Sequence, residues 1–203
     1  MIKIYGSARS SAGRCLWCLE EAGVAYENIN LDMKTKEHKT PDFLKINPNG
    51  KVPALVDGDI NLFESMAINF YVAEKYKPEL MGTTTQERAL TYQWSFWASA
   101  ELQDPIIQVF IQKVFVPTER RSQVVIDENM AKLPELFTVL NNALEGKTYL
   151  NGKSFTLADL NTASVASIAP HLGIDLSQYK NIDLWMKAIS DRPAFQNYSK
   201  LRQ

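Results

Sequence analysis

The stretch Asn47-Pro-Asn-Gly-Lys-Val-Pro-Ala-Leu-Val-Asp-Gly-Asp-Ile-Asn-Leu-Phe-Glu-Ser65 decides how the first third of this chain folds. Pro48-Asn49-Gly50 is a turn, because Asn and Gly accept positive φ and Pro cannot continue a helix. Val52-Pro53 opens the apolar run Ala54-Leu-Val56, and a proline is tolerated only at the start or edge of a strand. Asp57-Gly58 has the residues of a two-residue hairpin and returns the chain through Ile60-Asn-Leu62. Glu64-Ser65 then starts a helix whose Met66, Ile68, Tyr71, Val72 and Tyr76 form an apolar stripe. This order sets a strand edge beside a helix N-terminus, which suits an extended, peptide-like ligand carrying a carboxylate. A cis Val52–Pro53 bond would turn the Val52 N–H and C=O outward to pair with such a ligand. Ser65 would take the carboxylate and Glu64 an adjacent ammonium. The plainer reading is an edge-strand proline and an ordinary helix cap with a first-turn acid.

Outward from this stretch, Lys3-Ile-Tyr5 is a short strand and Cys15–Ala22 a helix stopped by Gly23. Tyr26–Leu31 alternates as a second strand, and Pro41–Ile46 makes one or two helical turns. Residues 1–77 therefore read β-α-β-α-β-β-α. Pro78, Gly82 and Thr83-Thr-Thr85 mark a linker at 78–85. Beyond it strand patterns vanish, and 86–203 reads as an all-helical domain. Glu87–Phe115 is rich in aromatics and should bend near Pro105, and Val124–Leu144 is a second long helix. Thr156 and Asp159 form a capping-box variant with Phe155 and Leu160 as its staple, and a last helix over Asp183–Ser190 ends at Arg192-Pro193. The fold class is α/β plus all-α, and 203 residues suffice for two small cores.

Charge excludes several functions. Lys+Arg 22 against Asp+Glu 23 leaves a net charge of -1, so no field draws nucleic acid or an anionic membrane. No apolar run has transmembrane length, and Met1-Ile-Lys-Ile-Tyr5 reads as a strand rather than a signal peptide; the expected location is cytoplasmic. Two cysteines do not make a disulfide framework. Cys15-Leu-Trp-Cys18 has redox spacing, but it lies inside the helix on the stripe of Leu19 and Ala22, so it reads as core. With His38 and His171 the only histidines, there is no hydrolytic triad and no metal-ligand spacing.

Ser7-Ala-Arg-Ser-Ser-Ala-Gly-Arg14 joins the first strand to the first helix. A serine hydroxyl there, aimed at a bound thiol from the helix N-terminus, would stabilise a thiolate by hydrogen bond and dipole. Alternatively these serines only cap the helix. His38-Lys39 could donate to a second carboxylate or be solvated surface.

Together these residues resemble the glutathione S-transferase family over essentially the whole chain. His-Lys-x-Pro-Asp-Phe-Leu at 38–44, Asn-Pro-x-Gly at 47–50 and Pro-Ala-Leu-Val-Asp-Gly-Asp at 53–59 are most similar to its serine-type classes, the plant phi group and theta-like bacterial relatives. The resemblance implies a thioredoxin-like N-terminal domain, a helical C-terminal domain, and conjugation of glutathione to electrophiles with a peroxidase side activity. It implies glutathione as co-substrate with no cofactor or metal, a small hydrophobic electrophile as the other partner, and a homodimer. It makes Ser10 the hydroxyl on the thiolate, with Ser11 beside it. Val52 and Pro53 would hold the cysteinyl backbone, Glu64 and Ser65 the γ-glutamyl end, and His38, Lys39 and Lys51 the glycyl end. Ala8, Arg9, Phe110, Val114 and Phe115 would wall the electrophile.

Departures from the family pattern shape the alternatives. Arg9 stands where an apolar residue is usual, and Ser11 follows Ser10 directly, so either serine can face sulfur. Arg9-Ser-Ser is also similar to the zeta class of isomerases, but Ala12 and Glu64 replace its Cys and Gln. Tyr5, the other candidate hydroxyl, sits deep in the strand. The competing functions are a glutathione-dependent isomerase or dehalogenase, which returns glutathione unchanged, and a non-catalytic glutathione-binding module.

Overall fold

The computed structural model describes residues 1–202. Contacts divide the chain into two compact units, Met1–Met81 with the tail from Ser190, and Gly82–Ile189.

The first unit is built on a four-stranded sheet of order β2-β1-β3-β4: β1 (Ile2–Tyr5), β2 (Tyr26–Ile29), β3 (Ala54–Asp57) and β4 (Ile60–Phe63). β1 runs parallel to β2 and antiparallel to β3, with Ile4 opposite both Asn28 and Leu55. The parallel pair is joined by α1 (Ala12–Ala22), and α2 (Pro41–Ile46) and α3 (Ser65–Tyr76) complete the expected order. α1 begins three residues earlier than its apolar stripe suggests, and β2 stops at Ile29, two residues short of Leu31. Beyond it Asp32 folds the loop back, accepting from the Lys34 N–H through its carboxylate and from the Glu37 N–H through its carbonyl. Ile2, Ile4, Leu16, Leu19, Leu55, Ile68 and Val72 are almost fully buried, each side chain contributing about 1.5–3 kcal/mol. The Asp57–Gly58 turn is tied to α3, because the Asp57 carboxylate accepts from Tyr71, Lys75 and Tyr76 together.

The expected linker is not irregular throughout. Pro78–Met81 makes a 3-10 turn, and Thr84 caps the next helix in a capping box with Glu87.

In the second unit α4 (Thr85–Trp97) and α5 (Gln103–Phe110) belong to one helical run, with π segments at Ala98–Leu102 and Ile111–Phe115. Pro105 lacks an N–H and crowds the carbonyl four residues back, Glu101, which lies in the first π segment, where the wider turn gives the ring room. α6 (Gln123–Ala143), α7 (Leu157–Ala166) and α8 (Lys180–Ser190) follow. Leu102, Ile106, Val109, Leu133, Phe137, Leu140, Leu160 and Trp185 fill the interior. The predicted Thr156–Asp159 capping box is present, and fully buried Asp159 also accepts from the Leu150 N–H and the Trp185 indole.

The tail departs from the expected 86–203 helical domain. Pro193 ends one helix and, at the first position of another, starts α9 (Pro193–Lys200). α9 packs in the first unit, where Phe195 lies edge-on to the Trp17 ring at 4.9 Å and Tyr198 stacks on it at 6.0 Å. A two-pronged ion pair from Arg192 to Glu21, at 2.8 and 2.7 Å, anchors its start.

Candidate active site

Ser10 sits in the turn between β1 and α1. Its hydroxyl donates to the Ser7 carbonyl at 2.8 Å and accepts from the Ala12 N–H at 3.1 Å. It is therefore a working cap, oriented by the first free N–H groups of α1. Ser11 is exposed and makes no side-chain cap bond. Gly6, with φ +122°, closes β1 beneath this turn. A Cβ on Gly6 would lie 2.8 Å from Ala12 Cβ, 3.0 Å from Val52 Cβ and 3.4 Å from Ser10 Oγ, so only glycine lets the three approach.

The Val52–Pro53 peptide is cis. Val52 lies outside the β1–β3 ladder, which ends at Tyr5 and Ala54, and among the described residues its backbone groups make no hydrogen bond. The Ala54–Phe63 pair starts the hairpin ladder, so the antiparallel chains carry Pro53 and Val52 alongside Glu64 and Ser65. Ser65 opens α3, and its carbonyl accepts from the buried Cys15 thiol at 3.4 Å, which fixes the start of α3 against α1. Glu64 precedes it with φ +68° and ψ 109°, a conformation costly for a residue with a side chain. The Glu64 carbonyl still begins α3 by accepting from the Ile68 N–H at 2.9 Å.

A second group surrounds the Asn47–Lys51 turn. Asn47 is almost fully buried; its side chain donates to the Lys51 carbonyl and accepts from the Asn49 N–H. The Lys39 ammonium donates to the Asn49 carbonyl at 3.1 Å, close over Gly50. The His38 Nδ1 is buried without a hydrogen-bond partner among the described residues. Lys51 is exposed.

The remaining candidates are Ala8 and Arg9, in the turn before Ser10, and three residues of the second unit. Ala8 is buried and its carbonyl faces Tyr198, while Arg9 donates to the Arg202 carbonyl at 3.0 Å. Neither shows the open apolar wall expected of it. In the second unit Phe110 meets Phe115 edge-on at 5.6 Å, and Val114 and Phe115 are exposed. Tyr5 meets the Phe43 ring of α2 edge-on at 5.6 Å and lines a hollow of about 360 Å³ with Leu31 and Ile46.

Both cysteines are fully buried, and burial pushes the Cys15 thiol up to about 12 and Cys18 well above its ordinary range. The redox spacing is thus a core feature. Among the described residues no cluster of His, Cys, Asp and Glu could hold a metal ion, and no helix is long and apolar enough to cross a membrane. Sequence reading missed Gly6 and Asn47 as parts of this site. Each was visible only as a turn or helix residue, because its role depends on a close approach between distant segments.

Residues 2–74 match the family model described as the glutathione S-transferase N-terminal domain, and residues 102–193 that of the C-terminal domain. Among curated proteins, glutathione S-transferase 4 of Zea mays is 37% identical over 95% of this chain and 89% of its own length. Glutathione S-transferase F10 of Arabidopsis thaliana is 34% identical over 98% and 96%. Among solved structures, glutathione transferase F2 from Populus trichocarpa has a TM-score of 0.90 at 33% identity, covering 100% of this chain and 99% of that one. A theta class enzyme of Xanthomonas axonopodis pv. citri with glutathione bound has a TM-score of 0.89 at 33% identity, covering 97% and 95%.

Proposed function

The chain belongs to the glutathione S-transferase family, and from that premise we propose that it conjugates glutathione to electrophiles through a thiolate held by the Ser10 hydroxyl. The observation that carries this reading is the convergence of Ser10 Oγ and Val52 on Gly6, with Glu64 and Ser65 alongside. The free N–H and C=O of Val52 offer two hydrogen bonds to the cysteinyl unit of an extended tripeptide. Ser65, at the first position of α3, meets the γ-glutamyl carboxylate at a helix N-terminus, and Glu64 its ammonium. His38 and Lys39, on the Asn49–Gly50 turn, serve the glycyl carboxylate with Lys51, while Pro53 stays beside Val52 on the cysteinyl edge.

In this mechanism the glutathione thiol loses its proton to solvent, and the Ser10 O–H turns from the Ser7 carbonyl to the sulfur. The Ala12 N–H keeps the hydroxyl oriented during that turn. A hydrogen bond to a charged group contributes about 1.5–3 kcal/mol, so the thiol pKa falls by about 1–2 units from the free-cysteine range. The thiolate then forms a C–S bond to an electrophilic carbon as the leaving group departs. No covalent enzyme intermediate arises; positioning and thiolate stabilisation supply the catalysis. Phe110, Val114 and Phe115 remain the proposed contacts of a small hydrophobic electrophile. A cytoplasmic location and a homodimer complete the proposal, the latter supported by exposed Tyr92 and Phe96 one turn apart on α4 and tested by light scattering.

The test compares Ser10→Ala and Ser11→Ala by conjugation rate and by ultraviolet titration of bound thiolate. Ser10→Ala should lower kcat/KM about 10- to 100-fold at neutral pH with nearly unchanged glutathione affinity. Unchanged turnover in both variants would overturn the serine mechanism. Recovery of free glutathione with converted substrate would identify an isomerase or dehalogenase, and binding without turnover a non-catalytic module.

A further inference from the structure

The C-terminal tail holds the turn that carries Ser10. The Tyr198 hydroxyl donates to the Ala8 carbonyl at 3.5 Å, at the long end of hydrogen bonding and in a buried setting. A Cβ on Gly13 would lie 2.5 Å from that same carbonyl and 2.7 Å from the Tyr198 hydroxyl, so glycine admits the contact between α9, the turn and α1. One residue on, the Arg9 side chain donates to the Arg202 carbonyl at 3.0 Å. Two successive residues of the turn, Ala8 and Arg9, are thus tied to the tail immediately before Ser10. The tail is itself anchored away from the turn, by the Arg192–Glu21 ion pair and by Phe195 and Tyr198 on Trp17. Burial raises the Tyr198 pKa further above neutrality, so its O–H remains a donor across the working pH range. The buried Arg14 beside it carries positive charge into the same region.

We propose that Tyr198 is a positioning residue for Ser10, fixing the Ala8 carbonyl and through it the Ser7–Ser10 turn that aims the serine hydroxyl at sulfur. The link is mechanical and short. Ser7 accepts from the Ser10 backbone N–H and, until the hydroxyl turns to sulfur, from the Ser10 hydroxyl, so displacement of Ala8 shifts the turn that places the serine oxygen. This inference rests on the reading of Ser10 as the thiolate-stabilising group.

The experiment uses the full chain with Tyr198→Phe, which keeps the ring on Trp17 and removes only the hydroxyl. A neutral hydrogen bond near 1 kcal/mol corresponds to about a fivefold change, so kcat should fall about 3- to 10-fold with KM for glutathione held within about twofold. The pH profile of kcat/KM and the thiolate titration should both move upward in pKa, a readout that loosened packing alone would leave in place. In Ser10→Ala, the added Tyr198→Phe change should have no further effect on the thiol pKa, because Tyr198 acts through Ser10. A thiol pKa in Tyr198→Phe equal to that of the parent, or a lowered Tm as the only change, would overturn the proposal. Equal and additive shifts in the double variant would also overturn it. If Ser10→Ala shifts the thiol pKa and Tyr198→Phe does not, the serine mechanism stands and only the positioning role falls. If Ser10→Ala itself has no effect, both fall.

Discussion

Ser10 Oγ and Val52 Cβ both close on one point above Gly6, 3.4 and 3.0 Å from the position a Cβ would take there. The hydroxyl proposed to stabilise the thiolate and the backbone edge proposed to hold a cysteinyl unit are therefore set apart by a single missing methyl group. This spacing couples the turn after β1 to the strand edge before β3, and it depends on a residue with no side chain.

Gly6→Ala should disrupt both halves of the site. The new methyl group meets Ala12 Cβ at 2.8 Å, closer than carbon atoms pack, in a backbone conformation at φ +122° that alanine adopts at a cost of about 1–3 kcal/mol. A fall in kcat/KM for glutathione of at least about tenfold, with a lower Tm, is the expected result. Steady-state kinetics at varied glutathione, beside a thermal melt, check it. An unchanged KM with unchanged kcat would mean that Ser10 and Val52 need not sit this close.

The cysteines should be chemically silent in the native protein. Cys15 and Cys18 donate to the Ser65 and Asn69 carbonyls from full burial, and their thiols are held protonated far above neutral pH. A disulfide reagent at pH 8 should label both quickly in denaturant and neither at a comparable rate in buffer. Cys15→Ala and Cys18→Ala should retain conjugation within about threefold while losing about 1–2 kcal/mol of stability to the cavities they leave. Rapid labelling in buffer, or loss of turnover in either variant, contradicts this.

Much of this was legible from residues whose roles are local. Pro48-Asn-Gly, Asp57-Gly58, Glu64-Ser65 and the Thr156–Asp159 capping box each state their turn or cap in adjacent residues, and β-α-β-α-β-β-α follows from them in order. What stayed hidden is contact between segments far apart in the chain. Arg192-Pro193 marks a helix end equally well whether or not a new helix starts there, and nothing local tells that Tyr198 returns to Ala8 across 190 residues. The π turn before Pro105 was hidden for a related reason. A proline in a helix demands relief, and its neighbours in sequence do not say that a widened turn supplies it.

Two aspartates should give the stability profile opposite slopes in adjacent pH ranges. Asp57 is held at about 2, first by the Lys75 ammonium and then by the Tyr76 hydroxyl. Its folded pKa lies below the unfolded value near 3.9, so its contribution is present above about pH 4 and is lost as pH falls towards 2. Asp159 is pushed up to about 6 by burial, against hydrogen bonds from Leu150, Trp185 and Thr156. Its unfolded form ionises first, so its contribution is lost as pH rises from about 4 to about 6. Calorimetry across this range should show Tm rising from pH 2 to 4, and Asp57→Asn should flatten that limb. Asp159→Ala should cost about 3–5 kcal/mol, because it strands the buried Leu150 and Thr156 N–H groups and the Trp185 indole together. A parent-like Tm in Asp159→Ala would remove its role as the hub of the second unit.

Glu64 should separate stability from ligand binding. Its φ of +68° is tolerated in a residue that glycine would fit better, which suggests that the carboxylate is kept there for the ligand. Three substitutions divide the two contributions. Glu64→Gly relieves the backbone, Glu64→Ala keeps the strain without the carboxylate, and Glu64→Gln keeps the shape without the charge. Glu64→Gly should be more stable than Glu64→Ala by about 1 kcal/mol, the preference of a left-handed position for glycine reduced by its larger unfolded-state entropy. All three lack the carboxylate and should raise KM for glutathione by about tenfold or more, since a charge-assisted hydrogen bond to the ammonium is lost. Chemical denaturation and glutathione titration on the same preparations read both quantities. If Glu64→Gly binds glutathione as tightly as the parent, the strained glutamate is not there for the γ-glutamyl end. If Glu64→Ala proves the more stable of the pair, the positive φ of residue 64 is not a source of strain, and the start of α3 owes its conformation to packing against Cys15 instead.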